Sequence, residues 1–138
     1  MQSALTQQIE RLALVKKLRF DRMMRVQNVA ALNLNRSIED HAVLQRTQVS
    51  LESVQSQMRG DFLAASRGNP QSAAYHRYLL AELTNHRGIV EQSHGSVTNA
   101  ANELQVAKQN TNMALKRVKK MAKVQESHAY SCADPLND

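Results

Sequence analysis

A metal-binding or catalytic helix of the His-Glu-x-x-His kind needs two imidazoles four residues apart, so that both leave the same helical face. His41, His76, His86, His94 and His128 include no such pair. His86 and His94 are eight apart and can share a face, but a metal centre needs more ligands than that. Cys132 stands four residues after His128, the spacing of a thiol beside its base. A nucleophile also needs a pocket that excludes water and donors for an oxyanion. The composition lacks what builds one: no Trp, two Phe and four Gly. There is no GxxxxGK[ST] loop and no glycine-rich turn to hold a phosphate. Met23, Met24, Met58, Met113 and Met121 are spaced like packing residues. The sequence therefore predicts no catalytic residue, no metal site and no cofactor; the chain is not expected to be an enzyme.

The elements that position these residues are long helices. Between Pro70 and Met121 a heptad runs with a positions His76, Leu83, Val90, Val97, Leu104, Thr111 and Val118. Its d positions are Leu79, His86, Ser93, Ala100, Ala107, Ala114 and Met121, and ten of the fourteen are apolar. A 3.5-residue repeat this long buries a narrow stripe against another helix. Residues 3–66 supply the partner: they hold no proline, one glycine, and mostly Leu, Ala, Gln, Arg and Glu. Their apolar stripe reads Leu5, Ile9, Leu12, Val15 and Leu18, then Met23, Val26, Ala30, Leu34, Ile38 and Ala42. It ends with Leu44, Leu51, Val54, Met58, Phe62 and Ala65. Steps of four drift from a strict heptad, so less regular supercoiling is expected here than in the second helix.

The predicted fold is all-α: one elongated antiparallel coiled-coil hairpin over residues 1–138. A helix over about 3–66 starts at a Ser3 or Thr6 cap. A turn at 67–71 uses Gly68 and Asn69, with Pro70 opening the next helix. The second helix covers about 72–126, and a frayed tail follows over 127–138, where Pro135 breaks the pattern. At about 1.5 Å per residue the hairpin spans roughly 80–95 Å. With the turn centred on Asn69, residue i faces a residue near 138 − i. Leu34 then meets Leu104, Met58 meets Leu79 or Leu80, and His41 lies across from Val97. Ala100, Ala107 and Ala114 permit close approach of the helices. His76 and His86 act as polar seam residues that fix register. Gly60 is expected to bend the first helix, and Gly88 and Gly95 to soften the second.

Charge then becomes legible. Residues 1–27 carry six basic and two acidic side chains; residues 108–126 carry six basic and one acidic. The pairing puts both segments at the end away from the turn. A charge run is ordinarily a solvated face, but two remote segments converging on one end form a cationic tip that steers toward an acidic ring, cleft or loop. Nucleic acid is not expected, because Phe20 is the only aromatic there and no recognition motif is present. The lone cysteine fits a reducing compartment. No segment approaches a membrane span, and the longest apolar run near the start, Leu12 to Val15, is too short for a signal peptide. A cytoplasmic protein without direct membrane insertion is expected.

The run Arg11-Leu-Ala-Leu-Val-Lys-Lys-Leu-Arg-Phe-Asp-Arg22 resembles the opening RLxxVKxLRxxR segment of the FliJ/YscO family of type III secretion proteins. Arg11, Leu12, Val15, Lys16, Leu18, Arg19 and Arg22 carry the match. The lysine-rich stretch from Met113 to Tyr130 is similar to the end of the family's virulence (YscO-like) branch. The glutamine- and asparagine-containing middle has no counterpart. The resemblance implies a non-catalytic central stalk that inserts the end bearing both chain termini into a hexameric secretion ATPase. It implies activation of that ATPase, contact with the export gate and, in some members, with substrate chaperones. Transferred from the motif, the ring contacts are Arg11, Lys16, Arg19, Arg22, Lys116, Lys119, Lys120 and Lys123. The location implied is the cytoplasmic side of the inner-membrane secretion apparatus. A different reading of the same rod is a secretion chaperone or adaptor that binds exported subunits along its sides. A third is a structural coiled coil that self-associates rather than remaining a monomer.

Overall fold

The computed structural model describes residues 3–64 and 70–133, and every element in it is helical. Helix α1 runs Ala4–Ala64 and α2 runs Pro70–Ala133, paired as an all-α helical hairpin. Ser3 caps α1: its Oγ accepts the Thr6 amide at 3.1 Å, and its carbonyl accepts the Gln7 amide at 3.1 Å. Pro70 stands at the first position of α2, where its missing N–H costs nothing. The predicted turn residues 67–69 lie outside the described residues. Gly88 and Gly95 sit within α2 and Gly60 within α1, each with open space where a Cβ would stand.

The helices form two compact units. A terminal unit joins Met1–Leu32 to Asn102–Asp138, and a middle unit spans Asn33–Ala101. In both, the heptad positions of α2 are where expected: every a and d residue from His76 to Met121 is buried or half-buried. The seam continues through half-buried Gln125 and His128, so α2 outlasts the predicted end near residue 126 by seven residues. The sequence hid this because both continuing positions are polar.

Helix α1 departs from its predicted stripe. Leu5, Leu12, Val15, Leu18, Val26, Ile38 and Val54 are exposed. The packed face is instead a strict alternation of three and four: Thr6, Ile9, Ala13, Lys16, Phe20, Met23, Gln27 and Ala30 in the terminal unit. Leu34, Ser37, His41, Leu44, Gln48, Leu51, Gln55 and Met58 carry it through the middle unit. The reason is geometric. A stripe of four-residue steps rotates about 40° per step around an α-helix. Two packed helices must share one repeat, so the regular seam of α2 imposes its 3.5 spacing on α1 and takes whatever residues occupy those positions.

Cross-helix hydrogen bonds fix the register. In the terminal unit Thr6 Oγ1 bonds His128 Nε2 at 2.8 Å, and Thr111 Oγ1 donates to the Met23 carbonyl at 3.2 Å. In the middle unit His41 Nδ1 bonds Ser93 Oγ at 3.2 Å, and His86 Nδ1 meets Gln48 Oε1 at 2.7 Å. Each pair of residue numbers sums to 134, which corrects the expected 138. Helix ends at Ala64 and Pro70 centre the hairpin on 67 rather than Asn69. Leu34 therefore falls opposite Ala100, not Leu104, and His41 opposite Ser93, not Val97. Met58 falls opposite His76. The resulting layers match large with small: Phe20 with Ala114, Ala13 with Met121, Ala30 with Leu104. An alanine opposite a large side chain lets the two helices approach closely at that layer.

Candidate functional site

The charge of the chain belongs to one unit. Counted over the sequence, the terminal unit holds twelve Lys and Arg against six Asp and Glu; the middle unit holds six against six. The whole net charge of +6 therefore lies in the terminal unit, and the middle unit is neutral.

The eight candidate contacts all lie in this unit but not on one face. Arg11, Arg19, Arg22, Lys116, Lys119, Lys120 and Lys123 are exposed. Lys16 is half-buried at a seam position, where the register sets it opposite Val118. A lysine at such a position can bury its four-carbon stem while its ammonium stays in water. Arg11, Lys116 and Lys123 occupy the outward f positions, directly away from the partner helix. Arg19, Arg22 and Lys120 lie on one flank of the seam, at g and c positions, and Lys119 lies on the other. Arg25 was not among the sequence candidates. It lines a shallow hollow with Arg22, Val26 and Val29. Arg117 was also missed, although it holds the same heptad position on α2 as Arg19 holds on α1. The heptad of α2 already placed Arg117; that Arg19 holds the matching position was concealed because the apolar residues of α1 do not follow its repeat.

His41, His86, His94 and His128 each meet another side chain. In the middle unit a carboxamide oxygen can only accept, so His86 Nδ1 donates to Gln48 Oε1. Gln48 Nε2 donates onward to Glu52 at 3.0 Å, and Glu52 meets Arg87 at 3.7 Å. His41 lies against His94, with ring centroids 5.6 Å apart. In the terminal unit His128 Nε2 bonds Thr6 and lies 3.6 Å from the Cys132 sulfur. This trio borders a shallow hollow with Ile9, Glu10 and Gln125. Among the described residues no group of three or more His, Cys, Asp or Glu could hold a metal ion. No described helix is long and apolar enough to cross a membrane.

No protein-family model, curated protein or solved structure matches the chain.

Proposed function

We propose that this chain is a non-catalytic stalk of a bacterial type III secretion system, of the FliJ/YscO kind. It binds and activates the hexameric secretion ATPase and links it to the export gate, on the cytoplasmic side of the inner membrane. The observation that supports this reading is the segregation of charge: the unit holding both chain termini carries all of the net +6, and the unit between them carries none. A charge merely serving solubility has no reason to gather in one unit from two distant segments. A cationic unit suits insertion into an acidic ring, because complementary fields speed encounter and orient the approach. The motif running from Arg11 to Arg22 lies in this same unit.

The test is a titration of the purified chain into the cognate secretion ATPase. Hydrolysis per ATPase subunit rises with added chain and saturates near one chain per hexamer. Unchanged hydrolysis, together with co-purification of an exported subunit, would favour the adaptor reading instead.

A further inference from the structure

The terminal unit has two unlike flanks, and only one of them is built to receive something. On the flank formed by g and c positions, α1 presents Leu12, Val15, Val26 and Val29 to solvent. The same flank of α2 presents Val106, Met113 and Val124. All seven are between 41% and 56% exposed. Val26 and Val106 line one hollow together with Glu103 and Asn110, so the two helices share this side.

Three features define what fits there. First, the α1 residues keep the seam's own spacing of threes and fours: Leu12, Val15, Arg19, Arg22, Val26, Val29. A second heptad stripe on a helix already using its first is a site for another helix. Second, the flank is cationic. Arg19, Arg22, Arg117 and Lys120 face a single acid, Glu103, for a net +3. The opposite flank is balanced, with Lys17, Lys108 and Lys119 against Glu10, Asp21 and Glu126. Third, the cations sit in the middle of the stripe with apolar pairs on either side. A second copy laid antiparallel, apolar pair on apolar pair, sets Arg19 against Arg22; a parallel copy sets each arginine against itself. Both place like charges in the centre of the interface. The occupant is therefore complementary and not identical.

We infer that the g/c flank of the terminal unit docks an amphipathic helix of a partner protein, apolar at both ends and acidic at its centre. Leu12 to Val29 spans 18 residues, about 27 Å, which sets the length of that helix. Its carboxylates reach Arg19 and Arg22 in the two-pronged geometry that guanidinium favours. This inference goes beyond the stalk reading and does not depend on it; it stands on the flank's composition and exposure alone.

The experiment uses the full chain and a fluorescein-labelled 21-residue peptide with heptad-spaced leucines at both ends and glutamates in its central turns. A version with central lysines is the control. Anisotropy detects binding of the acidic peptide and not of the lysine peptide. Val26→Asn with Val106→Asn weakens binding by about tenfold or more, as loss of the apolar anchors at one end of the stripe does. Arg19→Glu with Arg22→Glu removes it and transfers binding to the lysine peptide. Leu14→Asn, on the opposite flank, stays within about twofold, the range of peripheral contacts. Circular dichroism confirms that every variant is helical; all these sites are exposed, so folding survives. Four results overturn the inference: no binding of the acidic peptide, or binding that ignores Val26→Asn/Val106→Asn and so reflects charge alone. The others are a dimer in sedimentation that the same double variant dissolves, and binding to phosphatidylserine vesicles that it abolishes.

Discussion

Gln48 and His86 meet across the seam of the middle unit, and replacing both by leucine tests how the polar seam works. Gln48 is buried and spends both ends of its carboxamide, one on His86 at 2.7 Å and one on Glu52 at 3.0 Å. A leucine buried at each position contributes about 1.5–2 kcal/mol relative to a polar side chain. The two lost hydrogen bonds cost about 1 kcal/mol each. The Gln48→Leu/His86→Leu protein is then more stable by about 1–2 kcal/mol. With an unfolding entropy of about 2.1 cal/mol/K per residue over 138 residues, its Tm rises by about 3–7 °C. The single variants behave differently. His86→Leu leaves buried Gln48, and Gln48→Leu leaves half-buried His86, without its hydrogen bond, a cost of about 1–3 kcal/mol that offsets most or all of the leucine gain. The double-mutant cycle therefore shows a coupling of about 2 kcal/mol, read from urea titrations followed by circular dichroism. Additivity within about 0.5 kcal/mol would refute the claim that these two side chains are one cross-helix unit.

Leu83 is only 3% exposed, and Leu83→Ala lowers stability by about 2–3 kcal/mol in the same urea assay. Gly88→Ala and Gly95→Ala each raise stability by about 1 kcal/mol, since both glycines are helical and nothing stands where the methyl group goes. In a Cys132→Ser background, cysteines at Ala30 and Leu104 oxidise to a disulfide, visible as faster migration on a non-reducing gel. Cysteines at Leu34 and Leu104, the pair expected from the 138 − i register, do not. Removing residues 127–138 takes away the His128 bond to Thr6, and hydrogen exchange then shows loss of protection over the first turns of α1.

The second helix was legible because its seam is written in apolar residues at a constant spacing. The first was legible as a helix but not as a face. Gln27, Ser37, Gln48 and Gln55 pack, while Leu12, Val26 and Val54 do not. Polarity alone cannot reveal that, because the repeat of α1 is imposed by its partner. The register was missed by four residues for a local reason: its centre depends on where each helix stops, and Ala64 and Pro70 bracket residue 67. The end of α2 was read too early because Gln125 and His128 look like surface residues until Ile9 and Thr6 are set opposite them. The cationic unit needed only the hairpin pairing, which tolerates an error of a few residues. The role of Lys16 needed the heptad of α1 itself: a lysine at a seam position and one at the surface read alike.

In the proposed stalk the cationic terminal unit, and not the neutral middle, activates the ring ATPase. The most direct measurement is hydrolysis by the cognate secretion ATPase in the presence of two charge-reversed proteins. Lys119→Glu/Lys120→Glu alters the terminal unit; Arg36→Glu/Arg77→Glu makes the same change of charge in the middle unit. A stalk of this kind loses stimulation in the first and keeps it in the second, with equal helicity in both. Full stimulation by the Lys119→Glu/Lys120→Glu protein, or equal loss in both, would contradict it.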